Sequence, residues 1–391
     1  MQLLIALYGL QHCMEHWFFN DIISFFVSIL FAGIVIPQIL NIAFRKLLFD
    51  QVDGRKVHKG IVPRLGGLAF FPSILFSFAV VIGFNLKYYG WDSAEESMQT
   101  TISFVFLICS VLVMYAVGIA DDLLGVKYSA KFFFQIISAI LIVFSGVYIR
   151  DFFSFLWIHQ IDDWIGWILT GFMVLYIVNA INLIDGIDGL ASGLSALAFI
   201  FYAIVFYYSD QMVYSMLACA SAGTLLPFFY YNVFGKTDSH KKIFMGDTGS
   251  LTIGIILAFC ALGMLHLGQS IVALEYNPVI LGLSPLIIPL FDVVRVFLNR
   301  IARHQNPFKP DKTHIHHRLL ALGFSQKVTL SFIMIWAMFY NIINMVLAHY
   351  INPTFVIISD VAIWVVINLI ITSYISKNSL SEKSLLHANK K

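Results

Sequence analysis

A chain of 391 residues that is 59% hydrophobic and only 12% charged, with a mean hydropathy of +0.84, excludes a water-soluble globular domain and describes a polytopic membrane protein. The formal net charge of +2 gives no footing for a nucleic-acid partner, because the basic residues serve topology. Four scattered cysteines (Cys13, Cys109, Cys219, Cys260) with no CxxC spacing indicate neither a disulfide framework nor a zinc site.

A hydrocarbon core of roughly 30 Å takes about 20 apolar residues per helix. Eleven stretches answer to that length: 20–44, 67–86, 101–120, 132–149, 164–181, 190–208, 212–234, 250–267, 278–299, 328–350 and 352–376. The expected fold is therefore an all-α bundle of about eleven transmembrane helices, one membrane domain over 1–378 followed by a polar tail, 379–391. The first 44 residues contain no Lys or Arg, and of the 24 basic residues only Lys87 and Arg150 fall on the side of the N-terminus. This asymmetry places the N-terminus outside and the C-terminus in the cytoplasm. The first span has no basic region before it and reads as an anchor, not a cleavable signal.

Five polar islands interrupt the apolar chain, all on the expected cytoplasmic side. The first, DGRKVHKGIVPRLGG, holds Arg55, Lys56, His58, Lys59 and Arg64 ahead of Gly66 and Gly67. A juxtamembrane basic loop serves topology or contacts anionic headgroups. The second, DDLLGVKYSAK, sets Asp121 beside Asp122 at the end of the third span. Adjacent carboxylates repel unless cations attend them, and Lys127 and Lys131 follow. A solvated helix end would look the same, and membrane prenyltransferases also hold magnesium diphosphate with Asp pairs.

In the third island, NAINLIDGIDGL, Asn179, Asn182, Asp185 and Asp188 recur every three residues, on nearly one face of a helix that Gly186 and Gly189 then break. That set suits a polar ligand or a hard cation, or alternatively caps the two flanking helices. The fourth, FMGDTGS, puts Asp247 in a glycine-flanked turn with Thr248 and Ser250 available as caps. The fifth gathers His314, His316 and His317 with Arg303, Lys312 and Arg318. This cationic patch suits phosphate, and no ordered ligand set for zinc can be assembled around it. Asp292 and Arg295, three residues apart at the end of the ninth span, either pair internally or serve function.

Taken in order from Asp53 to Ser325, about 270 residues, these islands resemble the polyprenyl-phosphate N-acetylhexosamine-1-phosphate transferases, and among them the bacterial undecaprenyl-phosphate GlcNAc-1-phosphate transferases. The resemblance rests on Arg64 to Gly67, Asp121 and Asp122, Asn179 to Leu190, Phe244 to Ser250, and the His-Ile-His-His stretch. It implies transfer of GlcNAc-1-phosphate from cytoplasmic UDP-GlcNAc to undecaprenyl phosphate at the bacterial inner membrane, with release of UMP, as a first step towards a surface polysaccharide such as O-antigen or teichoic acid. By the same resemblance Asp247 and Asn182 hold Mg²⁺, or Mn²⁺ in its place, and Asp121 and Asp122 deprotonate or orient the lipid phosphate. Lys131 contacts phosphate, Phe244 stacks on uracil and Asp188 lies near the nucleoside. His314, His316, His317 and Arg303 meet the diphosphate or sugar, His314 and Asp185 joining the catalytic set and Lys56, Arg64, Asn179 and Arg318 the substrate contacts. The expected partners are a UDP-N-acetylhexosamine, undecaprenyl phosphate and the bilayer, with room for a homodimer.

Two rivals stand beside this reading. The phospho-MurNAc-pentapeptide branch of the superfamily typically carries consecutive histidines where this chain has His-Ile-His-His, and other UDP-N-acetylhexosamines differ by one stereocentre. A secondary transporter would need polar residues deep in several spans, and Asp292, Asn341 and Asp360 are sparse for that.

Overall fold

The computed structural model describes residues 2–48, 62–88, 94–306 and 313–388; Arg55, Lys56, His58, Lys59 and Lys312 lie outside the described residues. The chain is a helical bundle: α1 (Gln2–Lys46), α2 (Phe70–Tyr88), α3 (Ala94–Leu124), α4 (Tyr128–Phe144), α5 (Asp163–Ile184), α6 (Leu190–Tyr208), α7 (Met212–Val233), α8 (Gly246–His266), the short α9 (Gly268–Val272), α10 (Pro278–Leu283), α11 (Ile287–Ala302), α12 (Ile315–Ala321), α13 (Gln326–Tyr350) and α14 (Pro353–Ala388). Among the described residues ten helical segments are long and apolar enough to cross a membrane.

The fourth crossing expected at 132–149 is helical only over Tyr128–Phe144, 17 residues, and so is shorter than the other ten. The apolar run misleads because Ser145 and Gly146 (φ +84°) stop the helix, while Val147, Tyr148 and Ile149 stay buried as irregular chain whose Ile149 N–H donates to Thr170 Oγ1 at 2.9 Å. The early start has a consequence for function, since it carries Lys131 in the first turn of α4. The ninth crossing is also not one helix. A 3-10 turn over Ser284–Leu286 separates α10 from α11, where Pro285 and Pro289 remove backbone donors and crowd the preceding turn.

Helix α8 sits at the centre. Its most apolar window is 94% buried within the protein, against 22% for α1 and 33% for the segment Pro353–Lys377 of α14, so the latter two face lipid and α8 faces only other helices. It packs on α3, α5 and α10. Close approach there depends on small residues, as helix association in lipid requires: Gly254 lies against the backbone of Val178 in α5. Because its neighbours enclose it on all sides, the N-terminus of α8 is the fixed point around which the polar islands assemble.

Candidate active site

The first turn of α8 lacks a side-chain cap of its own: Met245, the residue before it, is already in helical conformation. The exposed N–H groups are instead satisfied from α3. Asp122 accepts from Asp247 N at 2.8 Å, Thr248 N at 2.9 Å and Thr248 Oγ1 at 2.6 Å. A carboxylate at this position meets both the unsatisfied donors and the positive end of the helix dipole. On the other side, the chain before α2 lies along the 244–245 segment: Phe244 N–H donates to Pro63 O, Gly66 N–H to Phe244 O and Gly67 N–H to Met245 O, each at 2.9 Å. A Cβ on Gly67 would stand 2.0 Å from Gly249 N, so this backbone contact has no room for a side chain. Arg64, exposed, and Phe244 are thereby brought to the same end of the bundle as the aspartates.

With Asp122 occupied, Asp121 turns the other way. Its Oδ1 accepts from Val126 N at 2.6 Å and its Oδ2 pairs with Lys131 Nζ at 2.5 Å. The same ammonium reaches Asp247 Oδ1 at 3.1 Å. Asn182 Nδ2 completes the node, donating to Asp247 Oδ1 at 2.5 Å and to Ser250 Oγ at 2.8 Å. Two carboxylates from α3 and α8 thus share one ammonium from α4, and the α8 carboxylate also takes an amide from α5. Among the described residues no group of three or more His, Cys, Asp or Glu side chains converges to cage an ion. The oxygen donors of Asp121 and Asp247 nevertheless suit Mg²⁺, which keeps several waters and is commonly held by one or two carboxylates together with substrate phosphates.

Beside this node α5 ends at Asp185. Its carboxylate makes no hydrogen bond among the described residues and its tip reaches solvent. Desolvation beneath the surrounding chain, then the Asp247 and Asp188 carboxylates, push it up to about 7, with Arg64 acting in the opposite direction. Asp188 pairs with Lys242 Nζ at 2.5 Å. Gly189 N–H donates to Asn232 Oδ1 at 2.5 Å, and Asn232 Nδ2 donates to Ile243 O at 2.8 Å, so one buried amide ties the third island to the fourth. Neither Lys242 nor Asn232 lies in a polar island; the available signal is that Lys242 stands two residues before Phe244. Asn179 is spent elsewhere: it exchanges amide hydrogen bonds with Gln135 of α4, 2.9 Å in one direction and 3.4 Å in the other.

The histidine stretch opens α12 on the far side of Asp185. His314 and His316 are buried, and the Gly186 backbone is pressed so closely on His316 that a Cβ there would stand 2.0 Å from its Nε2. Burial and the neighbouring His317 push His316 down to about 3, which keeps its ring neutral at pH 7. His317 and Arg318 line a cavity of 690 Å³ with Arg295 and Arg303; its remaining walls are mainly apolar side chains of α11 and α14. Arg318 hydrogen-bonds the neutral Asn368 and Thr372 of α14, and burial with the nearby Arg295 pulls it down to about 10. Cationic at one end and apolar along its length, this cavity has the character of a site for an anionic amphiphile. The carboxylate node, Asp185 and the histidines meet at one end of the bundle, and Asp292 with Arg295 form an ion pair at 2.8 Å.

A helical membrane bundle whose polar end joins acid pairs to lysine, arginine and histidine defines a class of enzyme handling phosphorylated substrates at a membrane surface. Residues 104–265 match glycosyl transferase family 4, a span that holds Asp121, Asp122, Lys131, Asn182, Asp185, Asp188 and Asp247. The chain is 33% identical over 328 residues to a probable undecaprenyl-phosphate N-acetylglucosaminyl 1-phosphate transferase of Bacillus subtilis (strain 168), covering 83% of this chain and 84% of that one. It is 30% identical over 294 residues to the undecaprenyl-phosphate alpha-N-acetylglucosaminyl 1-phosphate transferase of Yersinia pestis, 73% of each chain, and 27% identical over 314 residues to that of Escherichia coli (strain K12), 79% and 78%. The chain belongs to glycosyl transferase family 4 and is a multi-pass membrane transferase.

Proposed function

We propose that the protein transfers GlcNAc-1-phosphate from UDP-GlcNAc to undecaprenyl phosphate in a Mg²⁺-dependent reaction at the cytoplasmic face of the bacterial inner membrane, initiating a surface polysaccharide. The observation that carries the reading is the Asp121, Lys131 and Asp247 node, an acid pair sharing one ammonium at the tip of the most enclosed helix. The names of the relatives supply the donor sugar and acceptor lipid. Transfer of a phosphoryl group between anions depends on positioning and neutralisation of charge. Mg²⁺ held by Asp247 and Asp121, with Asn182 beside them, would neutralise the diphosphate oxygens and the leaving UMP. Lys131 is placed to follow the phosphate while it remains tethered to Asp121. Asp185, the site carboxylate without a hydrogen-bond partner among the described residues, is placed to take the proton of the acceptor phosphate. The cavity lined by Arg303, His317 and Arg318 suits the acceptor, its arginines for the phosphate and its apolar length for the prenyl chain.

The test is direct: purified protein in detergent is given undecaprenyl phosphate, Mg²⁺ and sugar-labelled UDP-GlcNAc, with UDP-GalNAc and UDP-MurNAc-pentapeptide in parallel. Label from UDP-GlcNAc enters the organic phase with release of UMP, and EDTA abolishes it. Label from another donor instead would reassign the sugar, and none from any donor in folded protein would end the reading.

A base titrating up to about 7 also has a pH signature. Asp185 must be ionised to accept a proton, so kcat/KM rises through neutral pH, and Asp185→Asn both lowers and flattens that limb. Stability runs the other way. The folded-state carboxyl binds its proton more tightly than the unfolded chain does, so its contribution favours folding at low pH and is lost as pH rises from about 4 towards 7. Midpoints of thermal unfolding at pH 5.5 and 8 therefore lie closer together in the Asn variant, and an unchanged rate limb would remove Asp185 from the chemistry.

A further inference from the structure

The histidine stretch is placed by a residue outside every polar island. Asp292, on α11, is wholly buried. Both of its carboxylate oxygens are in use: Oδ1 accepts from Arg295 Nη2 at 2.8 Å and from Ile315 N at 3.0 Å, and Oδ2 accepts from His314 Nδ1 at 2.8 Å. Arg295 in turn donates to Thr313 O. One carboxylate and its arginine therefore gather three consecutive residues, 313 to 315, where the chain returns to the bundle after α11. Arg295 alone would balance the charge of Asp292. The additional bonds to a backbone N–H and an imidazole from a segment about 20 residues further along do something else, which is to fix that segment's position and orientation.

The orientation has chemical content. A carboxylate accepts only, so the proton of His314 resides on Nδ1 in this bond and Nε2 is turned away from Asp292. The His314 ring lies nearly parallel to that of His316, centroids 5.9 Å apart at 7°, and His316 is 4.2 Å from His317. His316 is 1% exposed, yet neither of its ring nitrogens has a hydrogen-bond partner among the described residues. Its Nε2 lies against Gly186, next to Asp185. A buried imidazole left unpartnered against Gly186 at the end of α5 is a group held ready for a ligand, and it stands there because Asp292 anchors the two residues before it.

We infer that Asp292 is a positioning residue for the donor, acting through His314 and the first turn of α12 without touching substrate. This rests on the reading that UDP-GlcNAc is the donor and that His314 and His316, as distinct from the His317 of the acceptor cavity, face its diphosphate or sugar.

The test is a double-mutant cycle on donor affinity, which remains measurable when turnover is lost. Wild type, Asp292→Asn, His314→Ala and the double variant, reconstituted in nanodiscs with Mg²⁺, are titrated calorimetrically with UDP-GlcNAc. Each single variant is expected to bind about tenfold more weakly or worse, and the double variant to bind within about threefold of His314→Ala, because a clamp with nothing to hold has no further effect. Losses that multiply in the double variant, or an Asp292→Asn protein that binds like wild type, overturn the inference. A second readout is independent of any donor. In protein labelled with ¹⁵N at its 12 histidines, one imidazole should show a strongly hydrogen-bonded Nδ1–H that disappears in both His314→Ala and Asp292→Asn. If Asp292→Asn does not yield folded protein, wild type against His314→Ala decides: no such resonance lost means no clamp. Wild type that fails to bind UDP-GlcNAc would sink the donor assignment, while the imidazole signal would still judge the clamp.

Discussion

Asp247→Asn is expected to lower kcat/KM for lipid-phase transfer by at least about 10³-fold, equivalent to roughly 4 kcal/mol of transition-state stabilisation, while leaving the protein folded. The reason is local. Asp247 offers Oδ1 to both Lys131 and Asn182, so the change removes the charge that orders the node. What fixes α8, by contrast, is the backbone N–H groups of residues 247 and 248, bound by Asp122 and untouched by the substitution. Removing one of two carboxylates that share a single ammonium also relieves repulsion, so the thermal midpoint in detergent should stay level or rise. A variant that keeps a tenth of wild-type transfer would show that Asp247 is peripheral.

The second large effect separates two neighbours. Asp122→Asn should lower both the midpoint of unfolding and activity. An amide in that place keeps one acceptor, turns an N–H towards the donors of Asp247 and Thr248, and loses the anion at the helix terminus. Together these cost about 1–3 kcal/mol. Asp121→Asn should abolish transfer with little change in midpoint, since Lys131 keeps its pairing with Asp247 and the α8 cap stays intact. Equal midpoints for the two variants in a thermal-shift comparison would refute this division of labour.

That division shows where sequence reading stops. The pair reads as two equivalent carboxylates, but consecutive helical residues point about 100° apart, so one meets α4 and the other the tip of α8. The islands were legible because polar residues at span ends stand out against apolar neighbours, and their order carried the family. Spans longer than a bilayer needs were legible for the same reason. The early end of α4 was not, because Val147 to Ile149 are as apolar in an irregular buried segment as they would be in a helix. Lys242, Asn232 and Gln135 gain their roles from partners 43 to 54 residues away, and one-dimensional spacing does not register a contact made only by folding. Asp292 was visible as an ionisable residue near the end of a span; that it holds a loop beginning some 20 residues later was not.

The glycine contact beneath the site bears on how the molecule comes to exist. Gly67 lies directly on Gly249, and the intervening chain emerges from the ribosome before the partner does. At about 5–20 residues per second, the early segment waits roughly 10–40 s for the stretch that completes it. Over that interval Arg64, and in its later part Asp121 and Asp122 as well, lack the helix tip that orders them. The nascent protein is therefore an inert set of spans until α8 inserts, and its acid node closes only when that helix tip meets α3, α4 and α5.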